Sequence, residues 1–145
     1  MAAAPSSARP RTSVAVEDYL EKIEQLIQAK GYARVVDIAA GLKISQASVT
    51  AMVQRLDGEG FINYEKYRGM VLTNSGLEVA RRIAHRHALL TDFLHVIGVG
   101  DEQVIYEDVE GMEHHISPET FKAIEALTRY LEKNPALVAK LRASA

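Results

Sequence analysis

The chain has 145 residues, 48% of them hydrophobic and 25% charged, with a formal net charge of −2, the balance of one or two small globular domains. It has no cysteine, which excludes disulfides, thiolate zinc sites and thiol catalysis. No apolar run approaches the roughly 18 residues of a membrane span, and the N-terminal segment lacks the apolar stretch of a secretory signal, so the chain reads as cytoplasmic with no membrane partner.

Residues 1–12 are small, polar and Pro-containing, and read as a flexible tail carrying Arg9 and Arg11. The apolar stripe of Val16, Tyr19, Leu20, Ile23, Leu26 and Ile27 predicts a helix from Val14 to Lys30, capped by Thr12 or Ser13 and ended by Gly31. A short helix from Val36 to Leu42 follows. The turn Lys43-Ile44-Ser45 then leads into a third helix from Gln46 to Asp57, with Ser45 as N-cap and Gly58 and Gly60 as stops. Phe61 to Tyr64 and Met70 to Thr73 read as two strands joined by a turn containing Arg68-Gly69. Beyond them a long helix is predicted from Ser75 to Ile97, broken by Gly98 and Gly100. Asp101 caps a shorter helix reaching His114 or His115, and Ser117-Pro118 and Asn134-Pro135 open two more.

This order predicts a mainly α fold. Residues 13–74 form an N-terminal winged helix-turn-helix with a small β-hairpin wing, and residues 75–145 a C-terminal all-helical domain. The second half carries Ile116, Phe121, Ile124, Leu127 and Leu131 beside two amphipathic helices, more apolar surface than so small a unit buries internally. A twofold homodimer through this half is expected.

In a helix-turn-helix the second helix enters the major groove, so its groove side must be polar and small. Gln46, Ser48 and Thr50 fit, Gln46 being the most capable of base-edge hydrogen bonds. Arg55, Lys66 and Arg68, with Arg34 and Lys43, are candidates for phosphate contacts, which position without specifying sequence. The competing reading is a small helical core with polar surface residues; the basic hairpin tip favours double-stranded DNA.

Residues 98–116 hold six acids (Asp101, Glu102, Glu107, Asp108, Glu110 and Glu113) and no Lys or Arg. On a helix, Glu110, Glu113 and His114 stand at i, i+3 and i+4, about 5–6 Å apart on one face, while His115 is rotated by about 140° from Glu110. Two carboxylates and an imidazole form a hard, oxygen-rich set that suits Mn²⁺ or Fe²⁺. The competing reading is a solvated acidic face. His87 falls on the apolar side of the long helix and His85 on the wet side, so His87 is the candidate partner, against the alternative of a satisfied core histidine. Asp18 and Glu21 form an i, i+3 carboxylate pair on the first helix, which periodicity alone does not prefer over Glu17 and Glu24.

Several segments carry a resemblance. They are Glu17-Asp18-Tyr19-Leu20-Glu21, Lys30-Gly31-Tyr32-Ala33-Arg34-Val35, the run from Ser48 to Leu56, Tyr64-Glu65-Lys66-Tyr67-Arg68-Gly69, Arg86-His87, and the run from Asp108 to His115. Together they closely resemble the short manganese-sensing branch of the diphtheria toxin repressor family over about residues 13 to 133. The resemblance implies a winged helix joined to a helical dimerisation domain, with metal bound between the two before operator DNA is bound. It puts Asp18, Glu21, His87, Glu110, Glu113 and His114 at the metal-ligand positions. Iron-sensing members have Met where this chain has Asp18, and Cys where it has Glu110, so two soft ligands become hard ones. Four carboxylates and two imidazoles exceed the needs of one ion, so two Mn²⁺ per subunit are expected. The tail before Thr12 and the Gly98-Val99-Gly100 linker are longer than the family pattern, and the match fades from Pro135 onward.

The expected function is a Mn²⁺-responsive DNA-binding repressor of manganese uptake genes, not an enzyme. The alternatives are an iron-responsive or metal-independent winged-helix regulator, or a di-metal hydrolase, which would activate water on paired ions but for which the sequence offers no nucleophile motif or phosphate loop.

Overall fold

A computed structural model describes residues 12–145, so the expected tail lies outside the described residues except for Thr12. The chain divides into two compact units, Met1–Leu77 and Glu78–Ala145.

In the first unit, α1 (Val14–Lys30) is opened by Ser13, whose hydroxyl accepts from the Val16 amide, and closed by Gly31 in the left-handed region at φ 82. Next come α2 (Val35–Leu42) and α3 (Gln46–Gly58). The turn between them uses Lys43 at φ 57, a left-handed residue without glycine's freedom, and its N–H returns to the Ala39 carbonyl. Ser45 caps α3 by accepting from the Ser48 amide. Gly58 is the last residue of α3 rather than its stop; the reversal comes at Gly60, at φ 81.

The hairpin pairs β1 (Ile62–Glu65) with β2 (Gly69–Leu72) antiparallel, from Ile62 opposite Leu72 to Glu65 opposite Gly69. Both strands sit one residue from their expected limits. Glu65 and Gly69 extend the ladder toward the tip. At the other end Thr73 is drawn into a cap, its hydroxyl donating to the Gly60 carbonyl at 2.6 Å and accepting from the Gly76 amide at 3.2 Å. Gly76 sits where a Cβ would collide with the carbonyl oxygen of Phe61, so the chain passes there only as glycine. Leu20, Ile23, Ile38, Val49, Val53, Leu56, Ile62 and Met70 form the core of this unit.

In the order expected, α4 (Asn74–Ile97), α5 (Glu102–Met112), α6 (Pro118–Glu132) and α7 (Pro135–Ala143) follow. Leu90, Leu94, Ile105 and Val109 make the core of the second unit, with Phe93, Ile97, Met112, Ile116 and Ile124 packed against it. Asp101 caps α5 and Ser117 caps α6, where Pro118 starts the helix. On α7, Arg142 donates to the His95 carbonyl at 2.7 Å and so satisfies the C-terminal end of α4. Of the residues on which the dimer expectation rested, Phe121 and Leu131 are buried, Ile116 and Ile124 pack against the core, and only Leu127 is exposed; Val104, Tyr106, Tyr130, Leu137 and Leu141 are exposed as well. Among the described residues no helix is long and apolar enough to cross a membrane.

One expectation needs correcting. α5 ends at Met112, with Glu113 as its cap, and does not reach His114 or His115. The backbone turns there because a buried side chain from α4 claims its carbonyls, as described next.

Candidate metal centre and DNA interface

Three residues of the second unit offer donor atoms that all lie within 4.8 Å of one another: His87 on α4, Glu110 on α5 and Glu113 at its cap. His87 Nδ1 stands 2.9 Å from Glu113 Oε2 and 3.4 Å from Glu110 Oε1. His114 reaches the same carboxylate from the other side, its Nε2 3.4 Å from Glu113 Oε1. Donors that share one ion at bond lengths of about 2.0–2.2 Å are about 3 Å apart in cis and about 4.4 Å in trans. The separations of 2.9 and 3.4 Å fall in that range, so these side chains fit a metal. The chemistry fits as well, since the donors are oxygen and imidazole nitrogen and the chain has no thiol.

Burial sharpens the point. The Glu113 side chain is fully buried and that of His114 is 3% exposed, whereas His87 and Glu110 are each about a third exposed. A fully buried carboxylate is costly unless cationic or donor groups hold it. Glu113 presents one oxygen to each imidazole, so a single buried carboxylate faces both histidines. Tyr106, one turn before Glu110, stands edge-on to His87 at 6.1 Å between ring centres. Contrary to the expectation that Glu110, Glu113 and His114 share a helical face, His114 lies beyond the helix and arrives by way of the turn. His115 is exposed, pointing elsewhere as expected. His87 is half-buried rather than wholly in the core, and His85 lies on the wet face beside Glu125 at 3.2 Å.

The group that shapes this turn is Arg86, which sequence reasoning did not single out by itself. It is 9% exposed, and its Nη1 donates to the carbonyls of Glu113 at 3.0 Å and Ile116 at 2.8 Å. Its guanidinium also stands over the Phe121 ring at 5.5 Å. A cation at these carbonyls complements the C-terminal end of α5 and fixes the segment that carries Glu113 and His114. An arginine reads as surface in a sequence, so only its adjacency to His87 could have signalled this role.

Asp18 and Glu21 stand one turn apart on α1 of the first unit, both half-buried. Gln25 donates to Glu21 at 3.5 Å.

In the first unit, the outer face of α3 is set by its buried row of Val49, Val53 and Leu56. At 100° per residue, Ala47, Ala51 and Gln54 stand opposite that row, and all three are exposed. They are the centre of the exposed face of α3, which sequence reasoning did not single out because two of them are alanines. Ser48, Thr50 and Arg55 flank this row, and Gln46 lies at the N-terminal end. Ser48 takes part in the cap, accepting from the Ser45 hydroxyl at 2.8 Å, and Arg55 pairs with Glu59 at 2.8 Å. Arg34, the exposed N-cap of α2, lies over the Tyr32 ring at 4.6 Å. Lys66 and Arg68 are exposed at the hairpin tip, where Arg68 stands 3.4 Å from Glu65.

Residues 11–70 match the N-terminal DNA-binding domain of the iron-dependent repressors, and residues 73–137 match their metal binding and dimerisation domain. The chain is 51% identical over 129 residues to the HTH-type transcriptional regulator MntR of Lysinibacillus sphaericus (strain C3-41), covering 89% of this chain and 92% of that protein. It is 50% identical over 125 residues to the regulator of the same name from Bacillus subtilis (strain 168), covering 86% and 87%. Among solved structures, the manganese regulator SloR is similar with a TM-score of 0.69 at 27% identity, over 79% of this chain and 54% of that one. ScaR with bound Zn²⁺ is similar with a TM-score of 0.68 at 28% identity, again over 79% and 54%. The chain thus spans about half the length of these solved regulators and most of the length of the two MntR proteins. With both of its halves matched, the chain belongs to the iron-dependent repressor family, transcriptional repressors with an N-terminal DNA-binding domain and a C-terminal domain that binds metal and forms the dimer.

Proposed function

We propose that this repressor responds to Mn²⁺, holds two of these ions per subunit, and represses manganese uptake genes in the cytoplasm. The observation that carries the reading is the cluster of His87, Glu110, Glu113 and His114, a hard donor set around a wholly buried carboxylate with no sulfur ligand. The likeness to the manganese regulator SloR supports manganese as well.

In this reading Asp18 and Glu21 complete the ligand set. They would supply two more carboxylates beside those of Glu110 and Glu113. Residues 13–74 read the operator and residues 75–145 bind metal and dimerise. Gln46, Ser48 and Thr50 face the bases beside Ala47, Ala51 and Gln54, while Arg34, Arg55, Lys66 and Arg68 meet phosphates. If Asp18 and Glu21 also hold the metal, its binding would couple DNA reading to the dimerising half. It favours the conformations in which two recognition helices match half-sites about 34–36 Å apart. The coupling is reciprocal, so operator DNA tightens Mn²⁺ binding by the factor by which Mn²⁺ tightens DNA binding.

The test is a titration of DNA binding with Mn²⁺, Fe²⁺ and Zn²⁺ in parallel, on a duplex that the Mn²⁺-loaded chain has selected from a random pool. Mn²⁺ is expected to activate binding most strongly, and chelation to reverse it. Equal or stronger activation by Fe²⁺ would make the chain an iron-responsive regulator. Binding that survives chelation would make it metal-independent.

A further inference from the structure

The wing closes with a three-residue loop, Lys66-Tyr67-Arg68, in which the Arg68 amide returns to the Glu65 carbonyl at 3.0 Å. Its central residue, Tyr67, has φ 71. This is the left-handed region, rare for a residue with a bulky side chain and cheaply occupied by Gly or Asn. Nothing in the packing of the ring accounts for tyrosine there, because Tyr67 is 94% exposed. Lys66 Nζ stands 5.3 Å from the ring centre, and Arg68, 3.4 Å from Glu65, follows in the loop. The loop therefore accepts a costly conformation in order to present an aromatic ring with a polar tip to solvent, between two cations. Backbone outliers of this kind are characteristic of functional sites.

We propose that Tyr67 is a DNA contact of the wing, its ring lying on the sugar–phosphate backbone and its phenol donating to a phosphate oxygen. The partner follows from the chemistry of the tip: two cations and a hydrogen-bond donor match a polyanion. β1 packs against α3 within the same unit, so the tip is held at a fixed offset from the helix that enters the groove. The inference rests on the DNA-binding reading and adds a neutral contact to the two cationic ones. Such a contact positions the protein on the duplex and reads no base.

The experiment compares the Mn²⁺-loaded wild type with Y67N and K66A, on the duplex selected by the wild type and on an unrelated duplex. Asparagine tolerates the left-handed region and removes the ring. One hydrogen bond corresponds to about threefold to tenfold in affinity, and two wings act in a dimer, so Y67N is expected to weaken binding about tenfold to a hundredfold on both duplexes. A phenol neutralises no phosphate, so Y67N leaves the salt dependence of binding unchanged, whereas K66A lowers its slope by about one per wing. The melting temperature of metal-free Y67N is expected to equal or exceed that of the wild type. Wild-type affinity in Y67N would overturn the proposal. A reduced salt slope would show that the ring acts only by placing Lys66, and a lowered melting temperature would show a structural role; each would overturn it too. If the wild type itself selected no duplex, the DNA-binding reading would fail and not the assignment of Tyr67 alone.

Discussion

Replacing Arg86 by methionine keeps much of the aliphatic bulk and removes the buried cation. Two charge-assisted hydrogen bonds, at 3.0 and 2.8 Å, are lost, and the Glu113 and Ile116 carbonyls lose a donor. Bonds to charged groups contribute about 1.5–3 kcal/mol each, and removing a buried guanidinium returns part of that as relieved desolvation. The expected net loss is about 2–4 kcal/mol, which for a chain of this size lowers the melting temperature by roughly 6–12 °C. Thermal unfolding in chelator, at one fixed protein concentration because the chain dimerises, measures it. A second effect follows at the metal centre. The turn that carries Glu113 and His114 becomes loose, and an ion must order it on binding. Fixing one to two residues costs about 1–2 kcal/mol of backbone entropy each, so Mn²⁺ affinity should fall about fivefold or more. R86K, which keeps the charge and at least one donor, should lie between the two. An R86M protein that unfolds within about 0.5 kcal/mol of wild type, the range of an ordinary surface substitution, would refute the argument.

Three further outcomes are expected. E113Q should lower Mn²⁺ affinity at least about a hundredfold, since outer-shell changes alone cost 10–100-fold; titration of free Mn²⁺ by its electron paramagnetic resonance signal would expose an unaltered affinity. G76A should destabilise by about 1–3 kcal/mol or more, because the new methyl meets the Phe61 carbonyl oxygen, which belongs to the backbone and cannot swing aside; denaturant unfolding measures it. Burial pushes the Tyr19 phenol above its ordinary 10.0, so the folded state holds that proton more tightly than the unfolded one. The resulting stabilisation is complete below pH 10 and is lost as pH rises through the raised value, so Y19F should flatten the alkaline fall of stability in a pH series.

Much of the fold was legible because its punctuation is chemical and local. Ser13, Ser45, Asp101 and Ser117 each accept from a first-turn amide, as the sequence predicts. The buried rows of α1 and α3 follow from 3.6-residue spacing. What stayed hidden depends on contacts distant in sequence. The end of α5 at Met112 is set by an arginine 27 residues away from Glu113. Gly76 looked like an ordinary first-turn residue until its approach to Phe61 was seen. Lys43 and Tyr67 adopt backbone angles that sequence statistics reserve for glycine and asparagine. At the metal centre, spacing brought Glu110, Glu113 and His114 into view, but only the tertiary fold brings His87 to within 2.9 Å of Glu113. On α3, the hydrogen-bonding side chains drew notice, while Ala47 and Ala51 stand at the centre of its exposed face.

The four clustered side chains of the second unit also set an electrical condition. Glu110 and Glu113 bring two negative charges and neutral imidazoles bring none, in a place where Glu113 and His114 have almost no access to water. One divalent cation brings this pocket to neutrality. A monovalent ion leaves it negative and a trivalent ion leaves it positive, and an uncompensated charge is expensive where water does not reach. The carboxylates of the cluster thus favour a divalent over a monovalent cation.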